Sequence, residues 1–273
     1  MTILSTEDRE FWKTNGYVVV HSAVPPVNCK AAEQAIFAFL EMNPNDPESW
    51  YPDPPRPGIM VEIYHHQALW DNRQYPKVHQ AFAEILDTEK LWVSLDRASI
   101  NPPVRESLTF KEPYLHWDMK LDWSVQLGVQ GVLYLTDTSA DQGAFTCIPG
   151  FHRILKNWLK SLPEGADPKN VIHERESESV SIGGKAGDLI IWSTGLPHGA
   201  SRNLAQRPRV VQYISMAPPA GETDEQGRQQ RMINWQQRLT GLGKNEKEKE
   251  HHEGMTAQLT PLGRKLLGVD RWE

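Results

Sequence analysis

Four short extended runs in the second half of the chain constrain its fold most strongly. Each is rich in β-branched or aromatic residues, and clusters of Gly, Pro, Asp and Ser separate them. They are VQGVLYLTD (129–137), GAFTCIPG (143–150), DLIIWST (188–194) and RVVQYISMA (209–217). Short strands divided by such turn residues are typical of an antiparallel sandwich or jelly roll. The run LWVSLDRASINPP (91–103) also reads as a strand. The sequence therefore predicts a mainly β core from about residue 91 to residue 218.

The first 90 residues predict helices that flank this core. The run STEDREFWKTNG reads as a helix with Ser5 or Thr6 as its N-cap and Gly16 at its end. Two further helices are predicted after the Pro-Pro pair at 25–26 and over 75–87, because apolar residues recur there at helical spacing. The Pro-rich segment 43–58 forbids helix continuation, so we expect it to be a loop beside a pocket.

The residues beyond 218 are predicted to form a helical and then charged tail. RQQRMINWQQRLTG has a helical pattern, whereas KNEKEKEHHEG is a charge run in which the two histidines are expected to be surface residues. A chain of 273 residues is long enough for one large domain. We predict a single domain over 1–273, with a helical part over 1–90, a β core over about 91–218 and a tail over 219–273.

Composition points to a small-molecule partner. The net charge of −6 leaves no basic surface, which argues against nucleic acid or an anionic membrane. The apolar runs, such as VLYL, are far shorter than the roughly 20 residues of a spanning helix. Two distant cysteines and an N-terminus without a signal-peptide pattern lead us to expect a cytoplasmic protein.

A candidate metal site follows from His116 and Asp118 in YLHWDMKL (114–121). On extended backbone the two side chains leave the same face, so they are either a hydrogen-bonded pair or half of a metal site. His198 ends a predicted strand, and Arg209 begins the next. Two imidazoles and one carboxylate are the facial triad of non-haem Fe(II) oxygenases. A guanidinium is suited to bind the far carboxylate of a dicarboxylate cosubstrate.

These motifs resemble the phytanoyl-CoA dioxygenase (PhyH) family of Fe(II)- and 2-oxoglutarate-dependent oxygenases. The family pattern is H-x-D, a distal His in a GD…HG segment, and an Arg eleven positions later, the spacing that separates Arg209 from His198. The turn TCIPGFHR is similar to the family's IPGSH turn, and the resemblance extends from about Ser5 to Pro218. It implies a double-stranded β-helix, the cupin-like jelly roll, with helices packed outside.

The resemblance also implies a reaction. His116, Asp118 and His198 would bind Fe(II), and Arg209 would bind 2-oxoglutarate. Reaction with dioxygen would release succinate and carbon dioxide and hydroxylate an unactivated C–H bond of a small molecule. A carboxylate at position 118 favours hydroxylation, because halogenating relatives have a small residue there.

The resemblance also suggests roles for further residues, each of which has a structural alternative. By analogy Tyr134 lies beside 2-oxoglutarate, although it could equally be a core residue. Asn101 would reach the metal-binding end of 2-oxoglutarate, with a strand-end cap as the alternative. The family commonly has Ser two positions after the distal His, but this chain has Ala200, with Ser201 beside it. Whether Ser201 supplies the missing hydroxyl is left open.

Two rival functions use the same ligands. A zinc hydrolase would keep water at its fourth position, but it gives Arg209 no role. A non-catalytic metal-binding jelly roll that senses or stores a ligand is the other rival. For the remaining residues, Trp117 is expected to face a core, while Arg97 and Lys120 either meet an anionic substrate or face solvent.

Overall fold

A computed structural model describes residues 2–56, 58–105, 115–122, 126–219, 224–239, 250 and 254–273. The helices are α1 (Thr6–Asn15), α2 (Pro26–Phe39), α3 (Gln67–Arg73), α4 (Pro76–Leu86), α5 (Phe151–Ser161), α6 (Pro168–Val171), α7 (Glu225–Gln237) and α8 (Pro261–Leu267), with 3-10 helices at Pro47–Trp50 and Ile172–Glu178. The strands are β1 (Tyr17–Val20), β2 (Met60–Val61), β3 (Trp92–Val93), β4 (Ala98–Asn101), β5 (Val129–Tyr134), β6 (Phe145–Cys147), β7 (Val180–Ile182), β8 (Leu189–Ser193), β9 (His198–Ala200), β10 (Arg209–Tyr213) and β11 (Met216–Ala217).

The strands form three antiparallel sheets. The largest has six strands in the order β1-β8-β5-β10-β4-β2, a second has the order β7-β6-β9, and β11 pairs with β3. Within the described ranges these sheets do not close into a barrel. The predicted mainly β architecture with flanking helices is confirmed.

Side chains along the central strands point alternately to the two faces of the six-stranded sheet, and each face packs in its own hydrophobic cluster. On β5, Leu133 belongs to a cluster shared with the helices α2 and α4, whereas Val132 and Tyr134 belong to a cluster shared with β6. Both faces of the six-stranded sheet are thus covered, which explains why β5 and β8 read as nearly continuous apolar runs. The candidate site lies on the side of the six-stranded sheet that is turned toward β6 and β9.

The first helix begins and ends as the sequence predicts. Ser5 accepts a hydrogen bond from the Asp8 backbone N–H, and the Asp8 carboxylate accepts one from the Ser5 backbone N–H, forming a capping box. Gly16 ends the helix with φ of 76°, a left-handed conformation that favours glycine. The helix therefore delivers β1 to the edge of the large sheet, where it pairs with β8.

Two parts of the predicted β core differ from expectation. The segment 91–103 is not one strand, because it breaks at 94–97 and its halves, β3 and β4, join different sheets. The helices α5 and α6 lie between β6 and β7, where only strands were predicted. In α5, Phe151, Leu155 and Trp158 recur at helical spacing and pack in the cluster that β5 shares with β6, so the sequence of α5 does carry a helical pattern.

The C-terminal tail folds back on the body of the protein. Its predicted helix is present as α7, and from it Arg231 donates hydrogen bonds to the carbonyls of Leu266, Leu267 and Val93. Most of the charge run, including His251 and His252, lies outside the described residues. In the described ranges, a helix with the length and apolarity needed to cross a bilayer is not found.

Candidate metal centre

Backbone pairing brings the H-x-D motif to the distal histidine. His116 and His198 form an antiparallel bridge in which each N–H donates to the other's carbonyl, at 2.9 and 3.0 Å. His198 is the first residue of β9 and pairs with Cys147 of β6. The two imidazoles consequently emerge side by side, with ring centroids 4.8 Å apart.

The three predicted ligands converge on one point. Asp118 Oδ1 lies 3.5 Å from His116 Nε2, and Asp118 Oδ2 lies 3.3 Å from His198 Nε2. One possible donor atom from each of the three residues lies within 4.8 Å of the other two. The His198 side chain is only 7% exposed, whereas those of His116 and Asp118 are 35% and 53% exposed. The group is therefore anchored on one side and open on the other.

The hydrogen bonds of the ligands suit a divalent metal. His198 Nδ1 lies 3.1 Å from the Leu196 carbonyl, which can only accept, so Nδ1 carries a proton and Nε2 is the nitrogen left to bind a metal. Contacts with the imidazoles of His116 and then His198 hold the pKa of Asp118 well below its ordinary value, against the opposing effect of burial. Neutral imidazoles and an ionised carboxylate are the donor set that first-row divalent metals need.

Trp117, between the two proximal ligands, points the other way. It is 1% exposed, and its indole N–H donates to the Gly195 carbonyl at 3.2 Å. Its ring lies 5.8 Å from those of both Phe151 and Trp158. The predicted core role is confirmed, and α5 thereby supports the loop that carries His116 and Asp118.

A cavity of about 670 Å³ opens from the three ligands toward Arg209. Arg209 is 2% exposed, and its Nη2 donates to Ser99 Oγ at 2.8 Å. Its Nε is buried, with no hydrogen-bond partner among the described residues. A buried guanidinium with donor capacity to spare fits the carboxylate of a dicarboxylate cosubstrate.

The contacts of Tyr134 are structural ones. Its hydroxyl donates to the Ile182 carbonyl at 2.6 Å and accepts from the Phe145 N–H at 2.9 Å. Burial raises the pKa of Tyr134 to about 12. These contacts join β5 to β6 and β7 and favour the alternative in which Tyr134 is a core residue.

Asn101 and Ser201 are likewise engaged locally. Asn101 ends β4, and its carbonyl accepts from the Asn203 amide at 2.7 Å. Gly143, with φ of 68°, approaches the Asn101 amide so closely that a Cβ there would clash. Ser201 Oγ accepts from the Ala144 N–H at 2.9 Å and donates to the Ala140 carbonyl at 2.8 Å. The Ser201 hydroxyl therefore supports the backbone, and the hydroxyl beside Arg209 comes from Ser99.

Several cavity residues were not selected from the sequence. Gln130 of β5 lines the cavity, and so do Arg231 and Asn234 of the tail helix α7. The period-2 pattern of β5 could have indicated Gln130, which shares a face with Val132. The tail residues carried no comparable signal. Arg97 also lines the cavity, and its Nη1 lies 3.8 Å from Glu62 Oε1.

Comparisons with known proteins agree with this site. The family model of phytanoyl-CoA dioxygenase (PhyH) matches residues 12–211. A Dictyostelium discoideum protein that carries the same family name is 24% identical over 77% of this chain and 74% of its own length. Ectoine dioxygenase of Bordetella bronchiseptica is 26% identical over 51% of this chain and 50% of its own length.

Two solved structures share the fold. The Escherichia coli protein JW0805 has a TM-score of 0.74 at 19% identity and covers 97% of this chain and 82% of its own. EvdO2 of Micromonospora carbonacea, complexed with 2-oxoglutarate, has a TM-score of 0.54 at 17% identity and covers 80% of this chain and 94% of its own. The family match spans both the ligand motif and Arg209. This chain therefore belongs to the phytanoyl-CoA dioxygenase family, and it is a 2-oxoglutarate-dependent dioxygenase.

Proposed function

We propose that this protein binds Fe(II) through His116, Asp118 and His198 and hydroxylates an unactivated C–H bond of a small molecule. The observation that carries the proposal is the convergence of these donors on a cavity that also contains the buried Arg209. The ligand set leaves one side open, as the facial triad of non-haem oxygenases does. The proposed iron, with 2-oxoglutarate and dioxygen, supplies oxidative decarboxylation that releases succinate and carbon dioxide.

The protein's own residues have distinct tasks in this proposal. His198 presents Nε2 because its Nδ1–H is held by the Leu196 carbonyl. Asp118 contributes the only carboxylate of the described ligand group, and a carboxylate at this position favours hydroxylation over halogenation. Arg209 binds the far carboxylate of 2-oxoglutarate through a buried guanidinium and so fixes the orientation of the cosubstrate.

The finer architecture is also a proposal. We assign the packed six-stranded and three-stranded sheets to a double-stranded β-helix, with residues 1–273 as one domain, because residues of both sheets pack in one hydrophobic cluster. Both cysteines are buried and free, which supports a cytoplasmic location. Ectoine, named in one relative, is a small molecule, and a cavity of about 670 Å³ is in the usual range for small-molecule sites.

The test is succinate formation from 2-oxoglutarate under air with Fe(II), which oxygenases of this type commonly sustain even without their primary substrate. Wild-type protein should form succinate, and His198→Ala should not. His173→Ala is the matched control, because His173 is half-buried, pairs with Glu176 and is not among the residues that line the cavity. A wild type that binds Fe(II) but forms no succinate would contradict the proposal.

The same experiment separates the rivals. A zinc hydrolase or a ligand sensor built on these three donors does not consume 2-oxoglutarate. The zinc hydrolase would also leave a buried arginine in the cavity without a task. Anaerobic titration with Fe(II) then tests the ligands directly, because His116→Ala and His198→Ala should each lose the binding stoichiometry of the wild type.

A further inference from the structure

Gln130 lies in the candidate metal centre without being one of its ligands. It precedes Val132 by two residues on β5, so its side chain leaves the face of the sheet that is turned toward the cavity. Its Nε2 donates to Asp118 Oδ2 at 2.8 Å. This is the same carboxylate oxygen that lies 3.3 Å from His198 Nε2. Gln130 therefore touches the acidic ligand of the centre.

The orientation of the Gln130 amide follows from the chemistry of its partner. An ionised carboxylate can only accept hydrogen bonds, so the amide NH₂ must face Asp118 and Oε1 must face away. Oε1 is buried, and within the part of the chain that the structure describes it has no hydrogen-bond partner. A buried carbonyl oxygen without a donor is unfavourable, and a bound ligand with an N–H or O–H group would satisfy it.

The part of the cavity wall beside Gln130, which pairs with Trp192 across the sheet, is apolar. Val132, Phe145 and Trp192 line the same cavity, and the rings of Phe145 and Trp192 lie 4.5 Å apart. An apolar wall can hold the carbon skeleton of a substrate, but it offers a donor group nothing to bind. The acceptor next to the metal ligands is thus placed to select the polar group of the substrate.

We propose that Gln130 connects the metal ligand to the substrate. Its amide N–H groups fix the orientation of Asp118, and its Oε1 accepts a hydrogen bond from a hydroxyl or N–H group of the substrate. The substrate class is therefore a small polar molecule that carries such a donor near the carbon to be oxidised. The substrate part of this inference rests on the proposed oxygenase function, whereas the positioning part does not require turnover.

The positioning role is tested by metal binding alone. Titration calorimetry with Mn(II) under nitrogen should give an affinity about 10- to 100-fold lower for Gln130→Met than for the wild type, because carboxylate ligands lose affinity when their supporting hydrogen bonds are removed. Gln130→Asn keeps the amide but shortens its reach, so it should also bind Mn(II) more weakly. Circular dichroism confirms that each variant is folded.

The matched control is Gln80→Met. Gln80 also donates to a carboxylate, Glu84 Oε1 at 3.2 Å, but it lies on α4. Gln80→Met should keep the wild-type affinity for Mn(II). Equal affinities of Gln130→Met, Gln130→Asn and the wild type would overturn the positioning role.

The substrate role is tested with paired probes. A panel of C4 to C8 hydroxy acids and primary amines is compared with their O-methyl ethers and trimethylammonium counterparts, which lack the donor group. With Fe(II) and 2-oxoglutarate, donor-bearing probes should raise succinate formation at least about tenfold more than their blocked partners, since a site built to bind an O–H or N–H rejects analogues without it. In Gln130→Met this ratio should fall toward one.

The outcomes are distinguishable. Blocked probes that stimulate the wild type as well as their partners, or a panel without any stimulating member, would overturn the substrate role of Gln130. Uncoupled succinate formation by the wild type is measured first, and its absence would instead count against the proposed function. The Mn(II) result stands independently of both, because it involves no reaction.

Discussion

Replacing Arg209 tests the assignment of the 2-oxoglutarate site most directly. The Arg209 side chain is 2% exposed, and its Nη2 is bound to Ser99 Oγ at 2.8 Å, so the guanidinium is held rigidly in the cavity. Removing one partner of a buried charge pair costs about 2 to 5 kcal/mol of binding free energy. Arg209→Ala should therefore raise the dissociation constant of 2-oxoglutarate roughly thirtyfold or more.

The consequence for stability follows from linkage. At 100 times the wild-type dissociation constant, 2-oxoglutarate should add about 2.7 kcal/mol to the stability of the metal-loaded wild type, or roughly 5 to 10 °C in Tm. With a thirtyfold weaker complex, the same concentration adds only about 0.9 kcal/mol, or roughly 3 °C at most. Arg209→Lys should recover part of the increment, because one ammonium cannot reproduce a bidentate contact.

Differential scanning calorimetry under nitrogen with Mn(II) measures these increments. Each variant is compared with itself without 2-oxoglutarate, because Arg209→Ala also changes the intrinsic stability of a buried site. Arg264→Ala is the control, since Arg264 forms an exposed ion pair with Asp270 and should leave the increment unchanged. An increment in Arg209→Ala equal to that of the wild type would refute the assigned role.

Three further predictions concern stability. Burial lowers the pKa of the His65 imidazole to about 4 in the folded state, whereas the unfolded chain has a value of about 6.5. The free energy of unfolding should therefore be constant with respect to this group above pH 6.5 and fall, by up to about 3 kcal/mol, as the pH decreases toward 4. Urea denaturation across this range should show a flatter profile for His65→Gln, and an unchanged profile would contradict the assignment. Trp117→Ala should lower the free energy of unfolding in urea by about 3 to 5 kcal/mol, because Trp117 is only 1% exposed. It should also weaken Mn(II) binding, because Trp117 lies between the ligands His116 and Asp118 in the sequence. A loss under about 1 kcal/mol would be inconsistent with this packing. Glu250→Ala should lower the free energy of unfolding by about 2 to 3 kcal/mol, because the Glu250 carboxylate accepts hydrogen bonds from the backbone N–H groups of residues 64, 65 and 66 at 2.6 to 3.0 Å. Glu250→Gln keeps one acceptor oxygen and should lose less stability. Equal losses in the two variants would argue against the contact.

Local signals in the sequence predicted the elements that depend on local interactions. The capping box of Ser5 and Asp8 and the left-handed Gly16 act within a single helix, and the structure has both ends of α1 where the sequence indicates them. The central strands are also recognisable, since β5 and β8 are continuous apolar runs bounded by turn residues. Errors occurred where an element is an insertion, as with α5, or where one extended run is divided between two sheets, as with β3 and β4.

The chemistry of the site can be predicted from its side chains alone. Two imidazoles, a carboxylate and a guanidinium at family spacing are enough to indicate a metal and a dicarboxylate, because the properties of these groups are intrinsic to the side chains. The contacts that support these side chains, in contrast, depend on how the chain folds. The burial of Arg209 against Ser99 and the hydrogen bond from Gln130 to Asp118 each join residues on different segments. The cavity also receives Arg231 from the tail, about a hundred residues after the H-x-D motif. Such contacts depend on long-range packing, which no periodicity or motif within a few residues can encode.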